Sequence, residues 1–419
     1  MTAPTKAARP EKPRGSPLFA AANGQWAKKI NGVHHYFGPW EDHASALDRF
    51  YREYPDLKEG RRPRASRRSP SAYVTVEELV QSCLADKLAL VESEDLDLST
   101  FKEYLHTGRL ITSTFTKHRS AADLHEDDWR KLRGELAGRY SARSMQKFLR
   151  YVRAIFEHGR NTYGITPEYG AGLQPPSRRR LQAERSARPN RLLTPSEVRL
   201  LAASATPPVR AMILLAINAG FNNHDVAALP MSLIDLEGGV IDYGRPKTGI
   251  RRRVILWPET TRAIRHVIAK RPKPKRKADA DLLFITRYGH PWMRRDIVYA
   301  KDGETVKDVS RINTVTTEFN KARKGAGLER KGVSFTSLRH TFRTIAEEVG
   351  ARNAILLLMG HGFAGMDDVY LHRIKEEKLR EVTDHVRAWY LSGRPARHRK
   401  DEQSDQETEG APEGQTCGK

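Results

Sequence analysis

Two stretches of this chain cannot be buried, and they decide how the rest can fold. The segments GRRPRASRRSPS at 60–71 and PPSRRRLQAERSARPNR at 175–191 are dense in arginine, serine and proline. Their charges stay hydrated and their prolines interrupt backbone pairing, so both read as linkers. The apolar pattern on either side must then collapse into separate cores, as a 419-residue length also suggests. The expected partition is a disordered basic arm at 1–17, a small module at 18–59 and a linker at 60–74. A helical domain at 75–172, a linker at 173–192, a third domain at 193–393 and a disordered tail at 394–419 complete it. The expected fold class is mainly α with small β-hairpin and sheet elements.

Local patterns support that division. Gly24, Trp26, Ile30, Gly32, Tyr36, Phe37, Gly38 and Trp40 alternate with polar residues as short strands do, and a helix is expected from His43 to about Tyr54. The aromatics here are expected to form a core rather than a surface for stacking bases. Thr75 followed by Glu78 reads as a capping box. From Val76 to Tyr163, apolar residues recur at helical spacing, enough for about four helices, and Arg143, Lys147, Arg150 and Arg153 form a basic stripe beside the last apolar face. Thr194-Pro195-Ser196-Glu197 opens another helix, and a very apolar one is expected from Val209 to Ala219. Strands at Val240–Tyr243 and Arg253–Trp257 flank Lys247-Thr248-Gly249 as a hairpin, after which helices are expected intermittently to Tyr390.

Charge narrows the function. The net charge of +22 and isoelectric point near 10.0 favour a phosphate-rich partner. No apolar run is long enough to cross a bilayer and the N-terminus has no signal-peptide core, so a soluble cytoplasmic protein without membrane partners is expected. Two cysteines, Cys83 and Cys417, support neither a disulfide framework nor a thiolate metal site, and no histidine pair has zinc-hydrolase spacing. No cofactor or metal is expected.

The densest chemical signal is FTSLRHTFRTIAEEVGARNAILLLMGHGFAGMDDVYLHR at 335–373, with Arg339, His340, His361 and Tyr370. A tyrosine, cationic donors and proton-transfer groups are the types that phosphodiester transfer through a phenolate requires. Ser337-Leu338-Arg339-His340-Thr341-Phe342 and Met359-Gly360-His361, with Tyr370 nine residues beyond His361, resemble the signatures of the tyrosine recombinase (phage integrase) family. Lys247-Thr248-Gly249 resembles the family's hairpin lysine, and Leu229 and Asp235 match the approach to it. The resemblance covers Thr194 to Leu391 and implies a site-specific DNA strand transferase. Tyr370 would attack, Arg339 grip the phosphate, His361 donate a hydrogen bond to it and Lys247 protonate the leaving oxygen.

It also implies double-stranded DNA as partner and a homo-tetramer on synapsed sites. The helical domain resembles the family's core-binding domain, and 18–57 more loosely an arm-type DNA-binding module. Two positions depart from the pattern: Asn222 stands where the family usually has its first arginine, and Thr336 where it usually has histidine. Asp225 keeps the acidic position that follows, and Asn222 is expected to turn its amide towards the phosphate. One of Arg245, Arg251, Arg252 and Arg253 can stand in for the missing cation. Two alternatives stay open: a DNA-binding protein of this fold with weakened catalysis, and a type IB topoisomerase.

Displacement of condensed counterions by the basic segments predicts that duplex affinity falls steeply with salt, by about a thousandfold or more between 50 and 200 mM for six or more phosphate contacts. Fluorescence anisotropy across a salt series checks this, and a flat dependence would remove the proposed footprint.

Overall fold

A computed structural model describes residues 10–13, 15–60, 74–245, 249–361 and 374–393. The chain divides into two compact units, the first comprising Met1–Ala187 and Ile297–Val309, the second Arg188–Asp296 and Ser310–Lys419. The fold is mainly helical with small antiparallel sheets, as the periodicities suggest.

The first unit begins with strands β1 (Phe19–Ala20), β2 (Gln25–Ile30) and β3 (Val33–Pro39) in the order β1-β2-β3. Asn31 and Gly32 both have positive φ, 48° and 85°, and so form the tight turn that brings Ile30 opposite Val33. Helix α1 (His43–Lys58), capped by Asp42, lays Ala46 and Phe50 on the sheet. Trp26 and Phe37 are 2% exposed, so these aromatics form the core, as expected. A second core lies among α2 (Val76–Glu92), α3 (Leu98–Phe115), α4 (Glu126–Arg139) and α5 (Ala142–Tyr163). Thr75 and Glu78 form the expected capping box on α2, and Trp129 of α4 is wholly buried between Phe115 and Phe156. The basic stripe of α5 borders a depression of about 770 Å3 that includes Arg143, Lys147, Arg150 and Arg153.

Part of the stretch read as linker is a helix, α6 (Arg178–Ser186). It buries no side chain, which hides it from apolar periodicity. Ser177 caps its start, and the Glu184 carboxylate accepts from the backbone N–H of Ala142 at 2.9 and 2.8 Å.

The second unit is built around one buried helix. α7 (Pro195–Ala203) starts from the Thr194/Glu197 capping box, and α8 (Pro207–Ala219) buries nearly every side chain from Val209 onwards. Short α9 (Asn223–Ala227) leads to strands β4 (Ile234–Asp235), β5 (Val240–Asp242) and β6 (Arg253–Ile255), in the order β4-β5-β6. Ile241 faces Val254 and Asp242 faces Arg253, the register of the expected hairpin. α10 (Pro258–Ala269) follows, then a two-stranded ribbon, β7 (Met293–Tyr299) and β8 (Val306–Asn313), of which Ile297–Val309 belongs to the first unit. This ribbon replaces part of the helical run expected after Glu259. Its turn signal, Lys301-Asp302-Gly303, holds a glycine at φ 75° and two backbone N–H groups donating to the Asp302 carboxylate. α11 (Thr314–Gly325), α12 (Phe335–Ala346), α13 (Arg352–Met359) and α14 (Glu376–Leu391) complete the unit, and α7, α10, α12 and α14 pack on α8.

Asn218 fastens the sheet to this helix. Fully buried, its side chain donates to Ile255 O at 2.9 Å and accepts from Trp257 N–H at 2.9 Å. Asn218→Ala leaves both strand groups unpaired in an apolar interior, and we expect about 3 kcal/mol of lost stability, since each orphaned group costs roughly 1–3 kcal/mol. A loss of unfolding free energy in urea of less than a third of that amount would show that water repairs the gap.

Candidate active site

The site forms where two helices end. α8 stops at Gly220 and α13 at Gly360, each in the left-handed conformation at φ 69° and 60°. The last carbonyls of a helix lack partners within it and carry its negative dipole end, so they attract cations. Arg339, in the middle of α12, reaches both ends: its guanidinium donates to Gly220 O and, at 3.2 Å, to Met359 O. It also donates to His361 Nε2 at 2.6 Å. With Nε2 accepting, the ring proton of His361 lies on Nδ1. His361 is itself fixed by its backbone N–H donating to Leu356 O at 2.9 Å as α13 closes.

Beneath this pair lies Asp225 on α9, whose side chain is 1% exposed. Arg252, whose side chain is 0% exposed, donates to Asp225 at 2.9 Å and to Met359 O at 3.1 Å, with its guanidinium 4.3 Å from the Phe221 ring centroid. Arg339 Nη1 stands 3.6 Å from the same carboxylate, and so does Arg245 Nε on its other oxygen. Burial alone pushes the Asp225 carboxyl up. Arg252, the Asn222 backbone N–H and Arg339 outweigh it and hold the group below the ordinary carboxylate range, so it stays ionised. Burial, then the charges of Arg339, Arg245, Arg343 and Arg252, pulls His361 down to about 4. Burial also lowers Arg339, and Arg245 and Arg252 add to that effect against Asp225.

The arginines considered from the sequence therefore separate. Arg253 binds Asp242 and Glu376 at 2.5 and 2.9 Å, and Arg251 is half exposed beside Asp242. Arg252 and Arg245 join Arg339 and His361. Asn222 has a role that the expectation did not include. Its Oδ1 accepts from the backbone N–H groups of His224 and Asp225 at 2.8 and 3.0 Å, which makes it the N-cap of α9. The competing force is capping, which asparagine satisfies well at a helix start. Thr336 is exposed on the first turn of α12, one turn before Arg339. Lys247 and Tyr370 lie outside the described residues. The roles of Phe221 as a platform for Arg252, and of the Gly220 and Met359 carbonyls as acceptors for the arginines, left no mark in residue type. Among the described residues no cluster of His, Cys, Asp or Glu could hold a metal ion, and no helix is long and apolar enough to cross a membrane.

Residues 191–377 match the phage integrase family. The fold is similar to a lambda integrase dimer bound to a COC' core site, at 15% identity and TM-score 0.51, covering 87% of this chain and 96% of that one. It is likewise similar to a lambda integrase tetramer bound to a Holliday junction, at 16% identity and TM-score 0.52, covering 88% and 97%. No curated protein matches the chain.

The lowered His361 makes stability depend on acid. Between its ordinary value of 6.5 and about 4, the unfolded chain takes up a proton that the folded site refuses. Stability therefore falls as pH drops through this window and this contribution changes no further below it. In His361→Gln, neutral throughout, the decline from pH 6.5 to 4 should be shallower when followed by urea unfolding. Equal slopes would mean that the histidine titrates normally.

Proposed function

From the match of residues 191–377 to the phage integrase family, we propose that this chain is a site-specific DNA recombinase that cuts and rejoins strands through a 3′-phosphotyrosine at Tyr370, without metal or ATP. The observation that carries the reading is an imbalance of charge. Arg245, Arg252 and Arg339 converge on one carboxylate, Asp225, beside a neutral histidine. Like charges gathered out of water are costly unless an anion joins them, and a phosphodiester supplies one.

In this mechanism the Tyr370 oxygen attacks the scissile phosphorus and gives up its proton to solvent water, from which Lys247 later regains its own, as the bond to the 5′ oxygen breaks. Arg339 and His361 hold the non-bridging oxygens, and Lys247 protonates the departing 5′ oxygen. The phosphotyrosine keeps the energy of the broken bond, so a second 5′ hydroxyl can displace Tyr370 and restore the strand. Double-stranded DNA is the partner, and because two duplexes present four strands to cut, four protomers act together. The depression beside Arg143 and Arg150 on α5 is a phosphate-facing surface in this reading, and the module at 18–59 a second DNA-binding element.

Asn222 acting as a helix cap, together with an exposed Thr336, favours a second reading in which the chain binds DNA with weakened catalysis. A suicide duplex, nicked so that the released strand diffuses away, separates the two. The duplex is chosen by recovering covalent adducts of the wild-type protein from a randomised library. Tyr370→Phe should abolish the adduct on a denaturing gel while leaving duplex affinity within about twofold, because phosphate contacts elsewhere dominate binding. An adduct that persists in the variant removes Tyr370 from the mechanism. Tight binding with no adduct in the wild type favours the second reading.

A further inference from the structure

We propose that Arg245 is a catalytic residue that contacts the scissile phosphate directly, supplying from the hairpin the cation that position 222 does not provide. The inference rests on the recombinase reading above. It starts from what each nearby guanidinium already does. Arg252 is closed off from solvent, and one of its nitrogens serves both Asp225 and Met359 O. Arg339 is bound to the ends of α8 and α13 and to His361. Arg253 and Arg251 face Asp242 at the surface. Arg245 combines an unsatisfied donor with access to solvent: its side chain is 11% exposed, against 0% for Arg252, and its Nε, like the Nε and Nη1 of the sealed Arg252, is buried with no hydrogen-bond partner. The 3.6 Å separation from Asp225 gives attraction without a hydrogen bond.

Its backbone is nonetheless firmly held. The Arg245 N–H donates to Ile250 O at 2.8 Å, and Arg245 O accepts from Gly249 N–H at 2.9 Å. The side chain leaves this fixed point and runs along Gly360, the residue before His361. A Cβ placed on Gly360 would come within 2.8 Å of Arg245 Cβ and 3.1 Å of Arg245 Cδ. The absence of a side chain at 360 is thus what admits Arg245 to the site. Its charge is among the causes that lower both His361 and Arg339, which places it in the same electrostatic neighbourhood.

Asn222 explains why the cation comes from elsewhere. Its Oδ1 is committed to the start of α9, the helix that carries Asp225. An arginine there would lose that cap, whereas an arginine entering from the hairpin leaves the cap intact and still meets Asp225. During the reaction Arg245 neither gives nor takes a proton. Its planar fork offsets the negative charge that grows on the non-bridging oxygens as the Tyr370 oxygen adds to phosphorus and the 5′ oxygen departs.

Single-turnover adduct formation on the selected suicide duplex tests this. Arg245→Ala should slow the reaction about 100-fold, the lower end of what loss of one transition-state donor costs, and Arg245→Lys by roughly 10-fold because charge remains without the fork. A duplex with a methylphosphonate at the scissile position has lost the negative charge that Arg245 serves. On it the Arg245→Ala deficit should shrink to about 10-fold or less. An unchanged rate in Arg245→Ala overturns the proposal. So does a deficit of equal size on both substrates, which marks a merely structural role and also covers a variant that folds poorly. If the wild-type protein yields no Tyr370-dependent adduct from the library, the recombinase reading fails first and this inference with it.

Discussion

The second unit depends on keeping one carboxylate charged away from water. Asp225 accepts from the Asn222 backbone N–H at 3.0 Å and from Arg252 at 2.9 Å, and its removal would strand a wholly enclosed guanidinium. Breaking such a pair costs about 3–5 kcal/mol, far more than a surface ion pair contributes. The arrangement joins four parts of the chain: α9 carries the carboxylate, the residues around β6 bring Arg252 and Arg245, and the ends of α8 and α13 supply carbonyls. Apart from α8 and α9, which follow one another, these parts are distant in sequence, so the site exists only once the unit has folded. Asn218, which ties β6 to α8, then sets where Arg252 enters.

Much of the scaffold was legible because its signals are local. Thr75 with Glu78, and Thr194 with Glu197, announce helix starts through bonds made within four residues. The apolar run to Ala219 marks a buried helix, and the β5–β6 register follows from alternation across Lys247-Thr248-Gly249. Failures came where local cues competed or were silent. α6 has no apolar face to read. The β7–β8 ribbon has its turn glycine, but its charged strands lack a clear alternation, and the helical pattern on either side obscured it.

For the site, the residue types in Ser337–Phe342 and Met359–His361 singled out Arg339 and His361, which the fold brings to 2.6 Å. Position 222 shows the limit of reading by correspondence. An asparagine after a buried helix can cap the next one, and only the hydrogen bonds that its Oδ1 accepts from His224 and Asp225 show that this one does. Equally, nothing in Arg251-Arg252-Arg253 distinguishes three neighbours that end as surface residue, buried platform and sheet-edge clasp. Burial of that order is set by β6 pairing and by Phe221, both distant in sequence.

The way Arg339 and Arg252 are seated has a consequence for how the protein responds to its ionic surroundings. Behind these guanidiniums lie carbonyl ends and a carboxylate, so the site is layered, negative within and positive towards the ligand. Mobile ions screen charge only where water reaches, and Arg252 is sealed from it while Arg339 is 9% exposed. The arginine stripe on α5, by contrast, borders an open depression. On the recombinase reading, the protein is therefore divided by dielectric into an outer surface whose attraction for duplex is tuned by salt and an inner layer that is not. Rising ionic strength would release the DNA well before it weakened the strand transfer of a complex already formed.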